Sequence, residues 1–263
     1  MAYEDMIYEV EDYIATITLN RPQSLNAFTN TMLTEWVDAI ETAKADPKVR
    51  VLVVTGAGRG FCSGMDVKAA AGGGQALPLY ARRNYMRLGV HRVPRALEGF
   101  DKPYIAALNG PAAGAGMDMA SMADIRIMSD KARVGMNYVR VGLLPGDAGC
   151  YFLPRIVGIA KALELIWSGR MIDADEALRI GYVTKVVPHD ELMSATSEFC
   201  RQFTQAPVAT QFAKRLLWRG MDMYRNLNLE MAEMAMLINS TTPDTKEGPR
   251  AWVEKREPQW SAE

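Results

Sequence analysis

Val51 to Val54 run unbroken through V-R-V-L-V-V-T-G, residues 49 to 56, and a short apolar run of this kind bounded by turn signals reads as a buried strand. The segments around it fix what such a strand can belong to. I-Y-E-V from residue 7 and Y-I-A-T-I-T-L at 13 to 19 alternate with period two and suggest a hairpin. From Thr31 to Ala45 the period changes, and Met32, Leu33, Trp36, Val37 and Ile40 mark one face of a helix that stops before Asp46-Pro47. A Gly-rich excursion at 69 to 76, a helical stretch through about Leu97, the strand K-P-Y-I-A-A-L-N-G, a helix and the strand D-I-R-I-M-S then follow. Strand and helix alternate, which is the pattern of an α/β chain. After K-A-L-E-L-I-W-S-G-R the pattern is mainly helical, with Gly181 as a C-cap before a last strand, V-T-K-V-V-P. Residues 191 to 236 read as two further amphipathic helices.

Composition narrows the function classes. A chain of 263 residues with 49% hydrophobic content can bury a substantial core. Its 30 basic and 31 acidic residues nearly cancel without a basic run, so neither nucleic acid nor an anionic membrane is expected as a partner. Cys62, Cys150 and Cys200 lie far apart with no C-x-x-C pair, which argues against a disulfide framework or a metal knuckle and for a reducing, cytoplasmic setting. The N-terminus, M-A-Y-E-D-M-I-Y-E-V-E-D, lacks the form of a secretion signal. No span approaches the ~18 to 20 apolar residues of a membrane helix.

Two Gly-rich elements point to chemistry. T-G-A-G-R-G-F-C-S-G-M-D-V, residues 55 to 67, lacks the spacing of a dinucleotide fingerprint. Gly64 in it lets the backbone bend sharply and leaves the Met65 N–H unpaired. In N-G-P-A-A-G-A-G-M-D-M-A-S-M-A-D, residues 109 to 124, Gly114 and Gly116 flank Ala115 where a helix should begin. Small residues there admit a ligand close to free N–H groups at the positive end of the helix dipole. Donors from Met65 and Ala115 would together make an oxyanion hole. A tight turn after a strand, and a small-residue helix packed on a strand, are the structural readings of the same stretches.

The same residues carry a family resemblance. F-C-S-G-M-D-V, A-A-L-N-G-P-A-A-G-A-G-M-D-M-A-S-M-A-D-I-R-I, V-G-L-L-P-G-D-A-G-C-Y-F-L-P-R-I-V-G and T-K-E-G-P-R-A-W-V-E-K-R resemble the enoyl-CoA hydratase/isomerase (crotonase) family from about residue 5 to 256. The resemblance implies a crotonase-like spiral of ββα units over residues 1 to 193. It also implies a C-terminal helical region, 194 to 263, that closes the site and mediates assembly into a homotrimer or homohexamer. The ligand implied is an acyl-CoA thioester, with coenzyme A part of the substrate, no further cofactor and no metal. By position, the Met65 and Ala115 N–H groups polarise the thioester carbonyl, and Ser63, Gly64, Met65, Asp66, Val67 and Gly114 line the substrate site. The acyl pocket falls to residues around 70 to 95 and to the C-terminal helices.

Asp118 falls where family hydratases carry the first of two catalytic glutamates. A carboxylate among Met117, Met119, Ala120 and Met122 would be partly desolvated and usable as a base or acid, whereas an isolated Asp in a first helical turn otherwise serves capping or the dipole. At the second glutamate position the chain has Tyr138, which can donate a hydrogen bond but is a poor base. Asp147, in the turn P-G-D-A-G, is a replacement carboxylate; some isomerases and an aryl-CoA dehalogenase of the family use an aspartate one position earlier, at Gly146 here. An Asp in such a turn can also be an Asx-turn residue. His91, at a position matching a histidine of that dehalogenase, is a further candidate. The reading is an enzyme that stabilises a thioester enolate, an enoyl-CoA hydratase, with Asp118 as the main acid/base and Asp147 and Tyr138 positioning water. The alternatives are an isomerase or a hydrolase acting on a cyclic or aryl acyl-CoA, and, in another class, a noncatalytic acyl-CoA-binding subunit.

Overall fold

The computed structural model describes residues 3–65 and 78–261. Its main sheet has six strands in the order β1 (Met6–Glu11), β2 (Ile14–Leu19), β3 (Val51–Gly56), β4 (Tyr104–Leu108), β6 (Ile125–Ser129) and β9 (Lys185–Val187). β1 and β2 form the expected antiparallel hairpin, and every later pairing in this sheet is parallel. A second sheet of three short strands runs β5 (Ala112–Ala113), β7 (Arg133–Gly135) and β8 (Ile172–Asp173).

The two sheets advance together. β3, β4 and β6 are neighbours in the main sheet, and the segments that follow them bring Cys62 beside Ala112 and Ala112 beside Val134 in the smaller layer. Each turn therefore places one long strand, one short strand and then a helix, which is a spiral of ββα units. The apolar run at Val51 to Val54 follows from this geometry, because parallel strands covered on both faces have no solvent side. Leu52 and Val54 enter the main core with Trp36, Ala106 and Met128. Val51 and Val53 pack on the other face with Ile105, Ile127, Leu192 and Cys200. Fully burying a side chain of this size contributes about 1.5–3 kcal/mol.

Helix α1 (Asn30–Ala45) starts where the Thr29 side chain accepts the Met32 N–H at 3.0 Å, and it buries Met32, Leu33, Trp36 and Ile40 as its sequence pattern requires. Helices α2 (Leu79–Tyr85) and α3 (Arg92–Glu98) lead into β4, and α4 (Ala115–Ser121) follows β5. After β7 come α5 (Gly149–Val157) and α6 (Ile159–Ser168), then α7 (Ala174–Arg179) after β8. α7 ends in a Schellman turn: Gly181 has φ +74°, and the Gly181 and Tyr182 N–H groups donate to the Leu178 and Ala177 carbonyls.

Residues 191 to 236 hold three helices rather than the two expected: α8 (Leu192–Thr204), α9 (Ala209–Gly220) and most of α10 (Arg225–Asn239), with α11 (Asp244–Glu254) beyond. Pro207 lacks the N–H that a continuing helix needs and separates the first two. The boundary expected at 193 to 194 falls inside α8, whose Leu192 and Cys200 belong to the core on the sheet. No helix among the described residues is long and apolar enough to cross a membrane.

Candidate active site

The loop after β3 and the start of α4 are stitched to one another through their backbones. The Phe61 N–H donates to the Pro111 carbonyl at 3.1 Å, and the Ala113 N–H donates to the Cys62 carbonyl at 3.0 Å. Buried Asn26 holds the loop from below, giving its amide N–H groups to the Ala57 and Gly60 carbonyls at 3.0 and 2.8 Å. Asn109 adds donors to Gly58 and Gly60 at 3.0 and 3.2 Å. The spacing of small residues is set by this proximity. A Cβ on Gly116 would lie 2.0 Å from the Cys62 carbonyl oxygen, and one on Gly64 would lie 2.8 Å from the Ala113 oxygen and 3.1 Å from the Ala115 nitrogen. Gly64 has φ +86°, a conformation that an L side chain resists.

The Phe28 N–H donates to the Gly64 carbonyl, and neither the Met65 N–H nor the Ala115 N–H has a hydrogen-bond partner among the described residues. Ala115 opens α4, so its N–H is one that the helix itself cannot satisfy. Both residues border a cavity of about 560 Å³ with mainly apolar walls, including Phe28, Met86, Val90, Val141 and Leu143. Ser63, Gly114, Tyr138 and Asp147 lie in the same wall. Asp66 and Val67 lie outside the described residues, as does the Gly-rich excursion at 69 to 76.

Asp118, Tyr138 and Asp147 are together. The Tyr138 hydroxyl oxygen lies 2.6 Å from Asp118 Oδ2 and 3.3 Å from Asp147 Oδ2, and the Asp147 N–H donates to Asp118 Oδ2 at 3.3 Å. Asp118 is completely buried, behind the Tyr138 and Asp147 that line the cavity. Its Oδ1 faces the backbone of Gly149 without a hydrogen bond of good geometry. Burial pushes the Asp118 carboxyl up to about 7, with the Tyr138 hydroxyl pulling it down, the charge of Asp147 pushing it further up and the Asp147 and Gly149 backbone N–H groups pulling it down. Asp147 is also raised by burial, against the opposing effects of the Tyr138 hydroxyl and His91. Tyr138 is raised strongly by burial and by the two carboxylates, and remains a neutral phenol. Asp147 is thus a buried, partnered carboxyl rather than a solvated Asx-turn residue. His91 is bonded through Nε2 to the Gly146 carbonyl at 2.8 Å. A carbonyl only accepts, so Nε2 carries the hydrogen and holds the loop next to Asp147.

Gly149 escapes sequence reasoning. It is visible only as the last residue of P-G-D-A-G, yet a Cβ there would lie 2.0 Å from Asp118 Oδ1. Among the described residues no group of three or more His, Cys, Asp or Glu side chains is arranged for a metal ion.

Residues 9–263 match the family model described as enoyl-CoA hydratase/isomerase. The chain belongs to that family. It is 36% identical over 260 residues to a crotonyl-CoA hydratase of Syntrophomonas wolfei, with 97% of each chain covered. It is 37% identical over 258 residues to a short-chain-enoyl-CoA hydratase of Clostridium acetobutylicum, again with 97% of each covered. Among solved structures, an enoyl-CoA hydratase from Bacillus anthracis superposes with a TM-score of 0.92 at 29% identity, covering 99% of this chain and 100% of the other. The spiral core and C-terminal helices are therefore those of the crotonase fold.

Proposed function

We propose that the protein is an enoyl-CoA hydratase that adds water across the double bond of a 2-enoyl-CoA. The observation that carries this reading is the pair of unpartnered N–H groups, Met65 and Ala115, on the wall of an apolar cavity that also presents Tyr138 and Asp147. A thioester oxygen held between those donors gains negative charge as water adds to Cβ, and each such donor is worth ~3 to 4 kcal/mol at the transition state. The apolar walls suit an acyl chain. Coenzyme A enters as part of the substrate, and the Asp118–Tyr138–Asp147 cluster supplies the proton transfer.

Isomerisation of the double bond, or hydrolysis of a cyclic or aryl thioester, is the second reading. It is favoured by the phenol of Tyr138 and the loop carboxylate Asp147 in place of two glutamates, since an isomerase needs only one group to carry a proton between two carbons. Incubation with crotonyl-CoA tests the first reading: the conjugated thioester absorbance should fall and the product should gain the mass of one water. Inertness towards crotonyl-CoA with turnover of 3-enoyl or aryl thioesters moves the protein to the second reading. Tight binding of all of these without turnover of any makes it a noncatalytic acyl-CoA-binding subunit.

A further inference from the structure

One hydroxyl serves two carboxyl groups at this site. Tyr138 Oη lies 2.6 Å from Asp118 Oδ2 and 3.3 Å from Asp147 Oδ2, and it has a single proton to give. Were both aspartates ionised, one of these oxygen pairs would face each other with no hydrogen between them, in a buried setting where like charges repel strongly. A proton on one carboxyl removes the conflict, because a neutral carboxyl can donate to Oη while Oη donates onward. The surroundings indicate which carboxyl holds it. Asp147 borders the cavity, whereas Asp118 is completely buried behind it, with only the backbone of Gly149 beside its Oδ1 and no hydrogen bond of good geometry there. A carboxyl taken fully out of water costs less as the neutral acid than as the charged base.

We propose that Asp118 is a positioning residue held as the neutral acid, that its Oδ2–H donates to Tyr138 Oη, and that it thereby turns the Tyr138 O–H onto Asp147, the carboxylate that exchanges protons with the substrate. This rests on the acyl-CoA reading above. In the hydration cycle, the Asp147 carboxylate takes one proton from water as the oxygen bonds to Cβ. The electron pair of the double bond moves onto the thioester oxygen between the Met65 and Ala115 N–H groups. Asp147 then returns the same proton to Cα as the carbonyl re-forms, so its charge is restored and Asp118 ends the cycle as it began. Burial raises both carboxyls; the charge of Asp147 raises Asp118 further, and His91 lowers Asp147.

The arrangement predicts a bell-shaped pH profile of kcat/KM, with the acid limb set by Asp147 and the alkaline limb by ionisation of Asp118, which would reclaim the Tyr138 proton. The other titratable groups against the pair are His91, Cys150 and Tyr182. Burial pushes the Tyr182 phenol up to about 12 and raises the Cys150 thiol. All three are retained in the variants below.

The test compares Asp118→Asn with Asp147→Asn in the full-length enzyme. The side-chain amide introduced by Asp118→Asn can donate to Tyr138 Oη as the neutral acid does, so this variant should lose no more than about tenfold in kcat and should lose the alkaline limb while keeping the acid one. Asp147→Asn should fall by ~10² to 10⁴. Independently of turnover, infrared spectra of the resting protein at neutral pH should contain the carbonyl stretch of a protonated carboxyl that disappears in Asp118→Asn. The proposal is overturned if Asp118→Asn is inactive while Asp147→Asn works, if the alkaline limb survives Asp118→Asn, or if that infrared band is absent. A band that behaves as expected in a protein that turns over no thioester would instead overturn the enzymatic reading and leave the assignment of the proton standing.

Discussion

The backbone of Gly149 passes so close to Asp118 that a Cβ at this position would lie 2.0 Å from the carboxyl oxygen Oδ1. Gly149 is the first residue of α5, and Ala148 before it turns through φ +75°. This close pass folds the Pro145–Ala148 turn down onto α4 and brings Asp147 to the same hydroxyl as Asp118. The two carboxyls meet because the chain has no side chain at this point.

Gly149→Ala separates this account from ordinary helix behaviour. Alanine in a helix normally stabilises by about 1 kcal/mol over glycine. Here the added methyl must displace Asp118 or the turn, so the variant should instead be destabilised by about 1–3 kcal/mol, the usual cost of overpacking. Its kcat should fall with the loss of the 2.6 Å contact between Tyr138 and Asp118. Denaturant melts and steady-state kinetics check both; a variant as stable and as active as the parent would mean that the close pass is not maintained in solution.

Stability should fall as pH rises. In the unfolded chain Asp118 releases its proton near the ordinary value of 3.8, whereas burial keeps it protonated in the fold up to about 7. Between those values the folded state binds more protons than the unfolded state, so this group's contribution is complete below the lower value and lost on approaching the upper one, by at most about 1.4 kcal/mol per pH unit. Asp147, also raised, acts in the same direction. Asp118→Asn should flatten the decline, gaining on the parent as pH increases. Melting curves across this range would refute the burial argument if the two proteins declined in parallel.

The proposed oxyanion hole has its own test. Gly64→Ala puts a Cβ about 3.1 Å from the Ala115 nitrogen and at φ +86°, so it crowds the Met65 and Ala115 donors without touching Asp118 or Asp147. The expected result is a fall in kcat of ~10² to 10³, about the loss of one donor, with a smaller change in the affinity for the CoA portion. A drop confined to KM would show that these N–H groups bind ground state and transition state alike.

How much of this was legible beforehand follows from where the information lies. The two N–H groups could be located from F-C-S-G-M-D-V and A-A-G-A-G-M-D because glycine positions encode backbone conformation and close approach directly. The hairpin, α1 and the strand through Val51 to Val54 were equally plain, since their hydrophobic periods report which faces are covered. The relation of Asp118, Tyr138 and Asp147 is only half legible: family position selects Asp118 and Tyr138 and falls one residue short of Asp147, and the fact that one phenol hydroxyl bridges both carboxyls depends on the close pass at Gly149, which no period or spacing expresses. The three helices over 191 to 236 are hidden in the sequence for a simpler reason. Amphipathic stretches separated by short turns merge into one pattern unless a residue such as Pro207 is read as a full stop.

Assembly gives the last test. α9, α10 and α11 leave Leu217, Leu229, Met234, Leu237, Trp252 and Val253 between 55% and 86% exposed. An apolar surface of this density on adjoining helices is unusual for a solitary chain and normally closes against another subunit. With the homotrimer or homohexamer that the family resemblance implies, static light scattering should return three or six times the 29.1 kDa of one chain. Leu237→Glu, which places a charge in that surface away from the Asp118 cluster, should shift the mass towards a single chain and lower the melting temperature in a concentration-dependent way. A parent protein that runs as one chain at micromolar concentration would leave these helices facing water, and would overturn the trimer or hexamer.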